Sequence, residues 1–214
     1  MAETSSPISE PLGSVGRTER RSEIRESVAD PGPLGLAALA MTLFAFSIAN
    51  TNVWGSGADA ALALALVYGG AVQILAGMWE FARKNTFGSL MFGSFGAFWV
   101  AYYVLAKFVI PEVRTASVPE ALGVFLLGWA ILSFYMTIAS LRVSVAIAVL
   151  FVLLTATFVI LTIAQFQNLD SLLKVGGWVG VIAAAAAWYA SCAGVVNDTF
   201  KKVVVPVYPL SQPE

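Results

Sequence analysis

Residues 143–166 read VSVAIAVLFVLLTATFVILTIAQF and contain no charged side chain. A helix that crosses a membrane needs about 20 predominantly apolar residues, because it rises about 1.5 Å per residue through about 30 Å of hydrocarbon. The stretch Val143–Phe166 is therefore predicted to be a transmembrane helix. Arg142 precedes it and Asp170 follows it, so the nearest charges lie where the helix would reach the membrane surface.

Long apolar stretches of this kind, separated by charged residues, occur six times in the chain. They are Leu34–Trp54, Ala60–Trp79, Phe87–Val109, Ala121–Leu141, Val143–Phe166 and Val175–Val196. Of the twelve charged residues between Leu34 and Asp198, only Lys107 falls inside a stretch, near its end, from where its side chain reaches the interface. The pattern predicts an all-α membrane protein with six transmembrane helices. A soluble protein with buried helices would need an amphipathic shell, which the chain does not provide.

The composition excludes most soluble proteins and most enzymes. Of 214 residues, 58% are hydrophobic and 12% are charged, whereas soluble domains carry about 45–50% apolar and about 25% charged residues. The net charge of −1 provides no basic surface, so we expect no nucleic-acid partner. The chain has no His and a single Cys, Cys192. We therefore expect no metal, no cofactor and no enzymatic activity.

The distribution of Lys and Arg predicts the orientation in the membrane, because cytoplasmic loops carry an excess of these residues. One side of the six-helix arrangement has nine of them, namely Arg17, Arg20, Arg21, Arg25, Arg83, Lys84, Arg142, Lys201 and Lys202. The other side has three, namely Lys107, Arg114 and Lys174. We expect both termini to be cytoplasmic, in a multi-pass protein of the cell (plasma) membrane. Residues 1–33 are expected to be a disordered tail, residues 34–198 the transmembrane domain, and residues 199–214 a short cytoplasmic tail.

Neutral polar residues are the candidates for a site inside the membrane. No Asp, Glu, Lys, Arg or His lies in the middle third of any stretch, where proton-driven transporters usually place their relays. One face of the first stretch carries residues that recur at helical spacing, namely Leu39, Thr42, Leu43, Phe46 and Asn50. Phe95 and Trp99 form an aromatic stripe in the third, which is more often packing than pore. Small residues from Gly176 to Ala187 form a ridge that suits close helix packing, within the chain or between subunits.

Three blocks of sequence resemble the acetate uptake transporter family, also called succinate–acetate permeases. That family begins its first span with Asn-Pro-Ala-Pro-Leu-Gly-Leu. The matching residues here are Pro31, Pro33, Leu34, Gly35 and Leu36, with Asp30 in place of Asn and Gly32 in place of Ala. The second block is YGGAVQILAG at residues 68–77, followed by Glu80, NTFG at residues 85–88 and GAFW at residues 96–99. The third is GWVG at residues 177–180, with Tyr189, Asn197, Phe200 and Pro206.

The resemblance implies a homo-hexamer with one pathway per protomer for acetate and related small carboxylates such as succinate. It implies a constriction where Leu39 meets Phe95, and substrate selection by Leu154, Thr155 and Ala187. A glutamate of the family is replaced here by Gly194. Asn50, Gln73, Ser94 and Thr155 would offer hydrogen-bond donors without a fixed charge. The predicted pathway residues are Leu39, Asn50, Tyr68, Gln73, Ser94, Phe95, Trp99, Leu154, Thr155 and Ala187.

Two alternatives remain open from the sequence. One is a channel for a small neutral solute such as urea, an amide or ammonia, which an uncharged pore would also suit. The absence of His weakens a urea channel that opens by histidine protonation. The other is a membrane scaffold without transport activity, against which the neutral polar residues clustered in the first three stretches argue.

Overall fold

The structure, a computed structural model, describes residues 28–54 and 57–210. The expected disordered tail therefore lies outside the described residues, apart from residues 28–33. Within the described part, six helices are long and apolar enough to cross a membrane. We number them span 1 to span 6: Gly32–Thr51, Ala60–Ala82, Thr86–Glu112, Thr115–Ser140, Val145–Gln167 and Asp170–Phe200. The all-α, six-span architecture is confirmed, whereas the orientation of the termini stays a prediction.

The ends of the spans depend on local capping as well as on apolar length. Span 1 ends where Asn52 adopts a left-handed conformation with φ 58°, and span 5 ends in the same way at Asn168, with φ 56°. Span 3 begins where the Asn85 side chain accepts a hydrogen bond from the Gly88 N–H at 3.0 Å. Such caps satisfy backbone groups that have no partner inside the helix.

Span 6 is longer than predicted. It runs for 31 residues from Asp170 to Phe200 instead of from Val175 to Val196. Asp170, Lys174 and Asp198 lie within the helix, near its two ends. The length of an apolar stretch predicts only the part of a helix that lies in the hydrocarbon. A helix that continues past the membrane surface is therefore longer than its apolar stretch.

Two spans contain π-helical turns that were not predicted from the sequence. Span 2 is α-helical from Gly57 to Leu66, π-helical over Val67–Val72, and α-helical again over Gln73–Ala82. Span 3 is α-helical over Thr86–Val104 and then forms a π turn over Leu105–Val109 and a 3₁₀ turn over Ile110–Glu112. Single π turns inside α-helices are frequent at functional sites. Here the first one places Gln73 at its end.

The spans pack as a ring, each against the next along the chain, and span 1 against span 6. Ser191 in span 6 donates a hydrogen bond to the Pro33 carbonyl at 2.7 Å, which ties the start of span 1 to the end of span 6. Both ends of the helical region therefore lie on one side of the bundle, which we call the terminal end; the opposite side is the far end.

The small-residue ridge of span 6 packs within the chain. A Cβ added at Gly177 would lie 2.8 Å from the Ser47 carbonyl oxygen, and one added at Gly176 would lie 2.6 Å from the Leu161 side chain. The ridge thus allows spans 1 and 5 to approach span 6 closely.

The outer surface is apolar, as expected for contact with lipid. Val124, Ile131 and Ile138 lie two turns apart on span 4 and are 64%, 60% and 57% exposed. A soluble protein rarely exposes such a continuous stripe of large aliphatic side chains.

After span 6, residues 203–210 return across the terminal end as an extended segment, which we call the strap. The Val145 N–H donates to the Tyr208 carbonyl at 2.9 Å, and the Ala146 N–H donates to the Val207 carbonyl at 3.3 Å. Asn197 holds the strap from span 6, accepting from the Val204 and Val205 N–H groups at 2.7 and 2.9 Å. The strap therefore caps the start of span 5.

Candidate functional site

A cavity of about 190 Å³ opens at the terminal end, and we call it the terminal cavity. It lies between the start of span 1, the start of span 5, the end of span 6 and the strap. Its lining consists of Asp30, Gly32, Pro33, Leu36, Ser144, Ile147, Ala190, Ala193, Gly194, Asn197 and Val207. The proline motif and Gly194, both singled out in the sequence, thus belong to one cavity.

A second cavity, of about 90 Å³, lies towards the far end, and we call it the far cavity. Spans 1, 3, 4 and 5 line it with Phe46, Asn50, Tyr102, Leu122, Phe125, Leu126, Leu161 and Gln165. Asn50 also lines a wider basin of about 290 Å³ at the far surface, together with Asp170 and Lys174. The far cavity is large enough for a few water molecules and offers them the amides of Asn50 and Gln165.

The two cavities are separated by buried apolar side chains, which we call the plug. On span 1, Leu36 lines the terminal cavity and Phe46 lines the far cavity, with Leu39 and Leu43 between them. On span 5, Phe151, Leu154 and Phe158 lie between Ile147 and Leu161 in the same manner. These five intervening side chains are at most 1% exposed. From Leu36 to Phe46 the helix rises about 15 Å, so the plug occupies roughly half the membrane thickness.

Phe95 of span 3 lies among the aromatic rings of spans 4 and 5. Its ring centroid is 6.2 Å from that of Trp129, 6.0 Å from that of Phe151 and 6.3 Å from that of Phe158, to which it is nearly parallel at 12°. It is 1% exposed and belongs, with Leu39, Leu154 and Ala187, to one continuous buried core. The structure brings these four predicted residues into the same core.

Trp99, also predicted from the sequence, belongs to the same core and is 1% exposed. Its ring lies 5.7 Å from that of Phe46 and 4.6 Å from that of Phe98, both edge-to-face. Its indole Nε1–H is buried and has no hydrogen-bond partner.

Gln73 is the least satisfied of the predicted polar residues. Its side chain is fully buried, and neither its amide nitrogen nor its amide oxygen has a hydrogen-bond partner. Thr42 Oγ1 is likewise buried and without a partner. Leaving such groups unpaired away from water costs about 1–3 kcal/mol each. Neither Gln73 nor Thr42 lines the terminal cavity or the far cavity.

The remaining predicted polar residues are either hydrogen-bonded or only half-buried. Asn50 donates one Nδ2–H to the Phe46 carbonyl at 2.8 Å, which leaves its second Nδ2–H and its side-chain oxygen for the far cavity. The Thr155 hydroxyl lies 2.9 Å from that of Thr137 and thereby joins span 5 to span 4. Ser94 and Tyr68 are half-buried and do not line either cavity.

The proline motif is explained by its packing. The Pro31 carbonyl accepts the first helical hydrogen bond, from the Gly35 N–H at 3.0 Å. Gly35 is required because a Cβ there would lie 2.5 Å from the Phe92 ring. Leu36 faces the terminal cavity, whereas Leu34 is 47% exposed and faces outward.

Several residues of the plug and cavities were not predicted from the sequence. They are Leu122, Phe125, Leu126, Ile147, Phe151, Phe158, Leu161 and Gln165. Together with Leu154, those on span 5 recur every three or four residues, as expected for one face of a helix. The polar side chain of Gln165 would have indicated that this face points into the bundle. Span 5 is apolar all round, however, so that its inward face does not stand out from the rest of the helix.

The arrangement suits selective passage. None of the side chains of the plug is ionisable. Among the described residues, no group of three or more His, Cys, Asp or Glu is placed to hold a metal ion. Apolar constrictions between wetter spaces control passage by excluding water.

The model of the GPR1/FUN34/yaaH family matches residues 17–212, which is most of the chain. The chain belongs to the GPR1/FUN34/yaaH family. This confirms the resemblance found in the three sequence blocks.

Several relatives in the GPR1/FUN34/yaaH family carry names that denote transport. The chain is 36% identical over 195 residues to acetate permease A of Emericella nidulans, covering 84% of this chain and 65% of that protein. It is 31% identical over 182 residues to the succinate-acetate/proton symporter SatP of Escherichia coli K12, covering 84% and 95%. It is also 37% identical over 195 residues to a relative whose name does not denote transport, accumulation of dyads protein 2 of Saccharomyces cerevisiae, covering 87% and 68%. The chain spans about two thirds of the length of the two fungal relatives.

A solved structure in the GPR1/FUN34/yaaH family has the same fold. It is described as the structure of the bacterial acetate channel SatP, and the two folds superpose with a TM-score of 0.80 at 30% sequence identity. The match covers 85% of this chain and 99% of that one. The protein is thus a multi-pass membrane protein of a family of transporters and channels, and not an enzyme.

Proposed function

We propose that this protein carries acetate and related small carboxylates across the cell membrane through one pathway within each protomer. The observation that carries the proposal is the pair of cavities at the two ends of one ring of helices, separated by a dry apolar plug. This arrangement occurs in a fold that matches the solved bacterial acetate channel along nearly its whole length.

The neutral polar residues suit a carboxylate. Burying an unpaired carboxylate in an apolar medium is very costly, so a pathway has to offer hydrogen-bond donors or carry the neutral acid. Asn50 lies in the far cavity, and Gln73 provides an unpaired buried amide. Amides offer donors without a fixed positive charge, which would hold the anion too tightly for rapid passage.

In this proposal the plug selects by size. Leu39 and Phe95 form the narrowest part, and Leu154 and Ala187 shape its walls from spans 5 and 6. Thr155 acts indirectly, because its bond to Thr137 fixes the distance between spans 4 and 5. Small monocarboxylates would need less displacement of these side chains than succinate would.

We further propose that the protein assembles as a homo-hexamer. The ridge of small residues on span 6 is already used inside the protomer. The subunit contacts would therefore use outward apolar faces such as that of Val124, Ile131 and Ile138.

The test is transport into liposomes that contain the purified protein. Uptake of radiolabelled acetate is compared with that of urea and of methylamine, at a mildly alkaline pH where the carboxylate is ionised. We expect saturable acetate uptake above that of empty liposomes, slowed in a Phe95→Trp variant that enlarges the plug. Faster uptake of urea or methylamine than of acetate would instead indicate a neutral-solute channel, and no uptake of any of them would favour the scaffold.

A further inference from the structure

The terminal cavity contains one charged lining residue, and its charge has the wrong sign for an anion. Among the residues that line this cavity, Asp30 alone is ionisable. Its side chain is 56% exposed, and its Oδ1 accepts a hydrogen bond from the Gly32 N–H at 3.0 Å. A carboxylate substrate that enters or leaves through this cavity therefore passes a fixed carboxylate.

Arg83 lies directly against Asp30. Its Nη1 is 2.5 Å from Asp30 Oδ1, and its side chain is 27% exposed. Arg83 directly follows span 2, whereas Asp30 precedes span 1, so the two meet only because the ring of spans brings these helix ends together. A second carboxylate, Glu80, lies behind them; it is buried and accepts from Asn85 Nδ2 at 2.9 Å.

We infer that Arg83 keeps the terminal cavity passable to carboxylate anions by compensating the charge of Asp30. This inference rests on the proposed function. Charges that line the mouth of a cleft raise or lower the local concentration of a charged solute and its rate of entry. Without the guanidinium, Asp30 would line this mouth without the cation that contacts it, and anions would be repelled.

An exposed ion pair of this kind contributes little to stability. The competing explanation is that the ion pair only holds spans 1 and 2 together. The two explanations predict different effects of removing each partner. Removing either partner breaks the tie equally. Removing the positive charge makes the electrostatic potential at the mouth more negative, whereas removing the negative charge makes it more positive.

The experiment measures initial rates of acetate uptake in proteoliposomes for four variants, each corrected for the amount of folded protein. The variants are Arg83→Gln, Asp30→Asn, the double variant Asp30→Asn with Arg83→Gln, and Arg83→Lys. Each is measured at about 10 mM and at about 1 M salt, where the Debye length is about 30 Å and about 3 Å.

We expect Arg83→Gln to lower the low-salt rate roughly three- to ten-fold, which is at or below the lower end of electrostatic effects on association because a single charge is removed. Asp30→Asn should raise the rate, because it removes the negative charge from the lining of the cavity. The double variant should return to within about two-fold of the unchanged protein, and Arg83→Lys should retain most of the rate because it keeps the charge. High salt should reduce all of these differences, since it screens exposed charges.

The inference is overturned if Asp30→Asn lowers the rate as much as Arg83→Gln and the double variant recovers nothing, because that result identifies a structural tie. It is also overturned if all variants carry acetate equally at low salt. In that case acetate uptake by the unchanged protein still supports the proposed function, whereas its absence overturns both. Acetamide, a neutral solute of similar size, serves as the control whose uptake should not respond to these charges.

Discussion

Phe95 is the residue at which the proposed pathway is tested most directly. Its ring lies among Trp129, Phe151 and Phe158, so Phe95→Ala opens space in the middle of the plug. We expect the variant to carry succinate better relative to acetate, measured as the ratio of the two uptake rates. Truncating a buried Phe also costs about 3–5 kcal/mol of stability, so rates are compared per amount of folded protein.

Phe92→Ala provides a matched control for this prediction. Phe92 lies in the same span and is 2% exposed, but it packs against Gly35 and lines neither cavity. Its truncation should lower stability to a similar extent without changing the succinate-to-acetate ratio. An unchanged ratio in a well-folded Phe95→Ala variant would remove Phe95 from the pathway and leave it as packing.

At the scale of elements, the contact between spans 2 and 3 depends on Gly77. A Cβ added there would lie 2.6 Å from the backbone nitrogen of Gly93, which cannot rotate away as a side chain can. We expect Gly77→Ala to destabilise the protein by about 1–3 kcal/mol, seen as a lower midpoint of thermal unfolding in detergent. Gly93→Ala is the control, since a Cβ there meets no atom within 4 Å. Equal stability of the two variants would contradict this account of the contact.

The elements also show what the sequence could and could not predict. Long uncharged stretches predicted all six spans, because the membrane imposes a minimum apolar length on any helix that crosses it. The π turns and the strap depend on contacts between distant parts of the chain, such as that of Tyr208 with Val145, which carry no local signal. The pairing of Asp30 with Arg83 was not predicted for the same reason. Leu39 and Phe95 could be named as pathway candidates from the sequences of spans 1 and 3. Phe151 and Phe158 could not be distinguished from the other apolar residues of span 5.

At the scale of the whole molecule, the prediction that remains is the side of the membrane on which the terminal end lies. Nine Lys and Arg residues on that side against three on the other predict that it is cytoplasmic. Reporter fusions at the N-terminus, next to Arg83 and after Lys202 should all report the cytoplasm. A fusion next to Arg114, in the loop at the far end, is the control and should report the opposite side. An external signal from either terminus would contradict the predicted orientation.

The strap has a consequence for the order of events during synthesis. Val207 and Tyr208 supply the carbonyls that cap Val145 and Ala146, yet the ribosome makes them about sixty residues later. Span 5 therefore enters the membrane with these N–H groups unpaired by protein, at a depth where water still reaches them. Only after span 6 has been released does the strap displace that water and close the terminal end. The bundle thus acquires its final shape after translation of its last helix, and a chain truncated before residue 203 would hold six spans around an unfinished mouth.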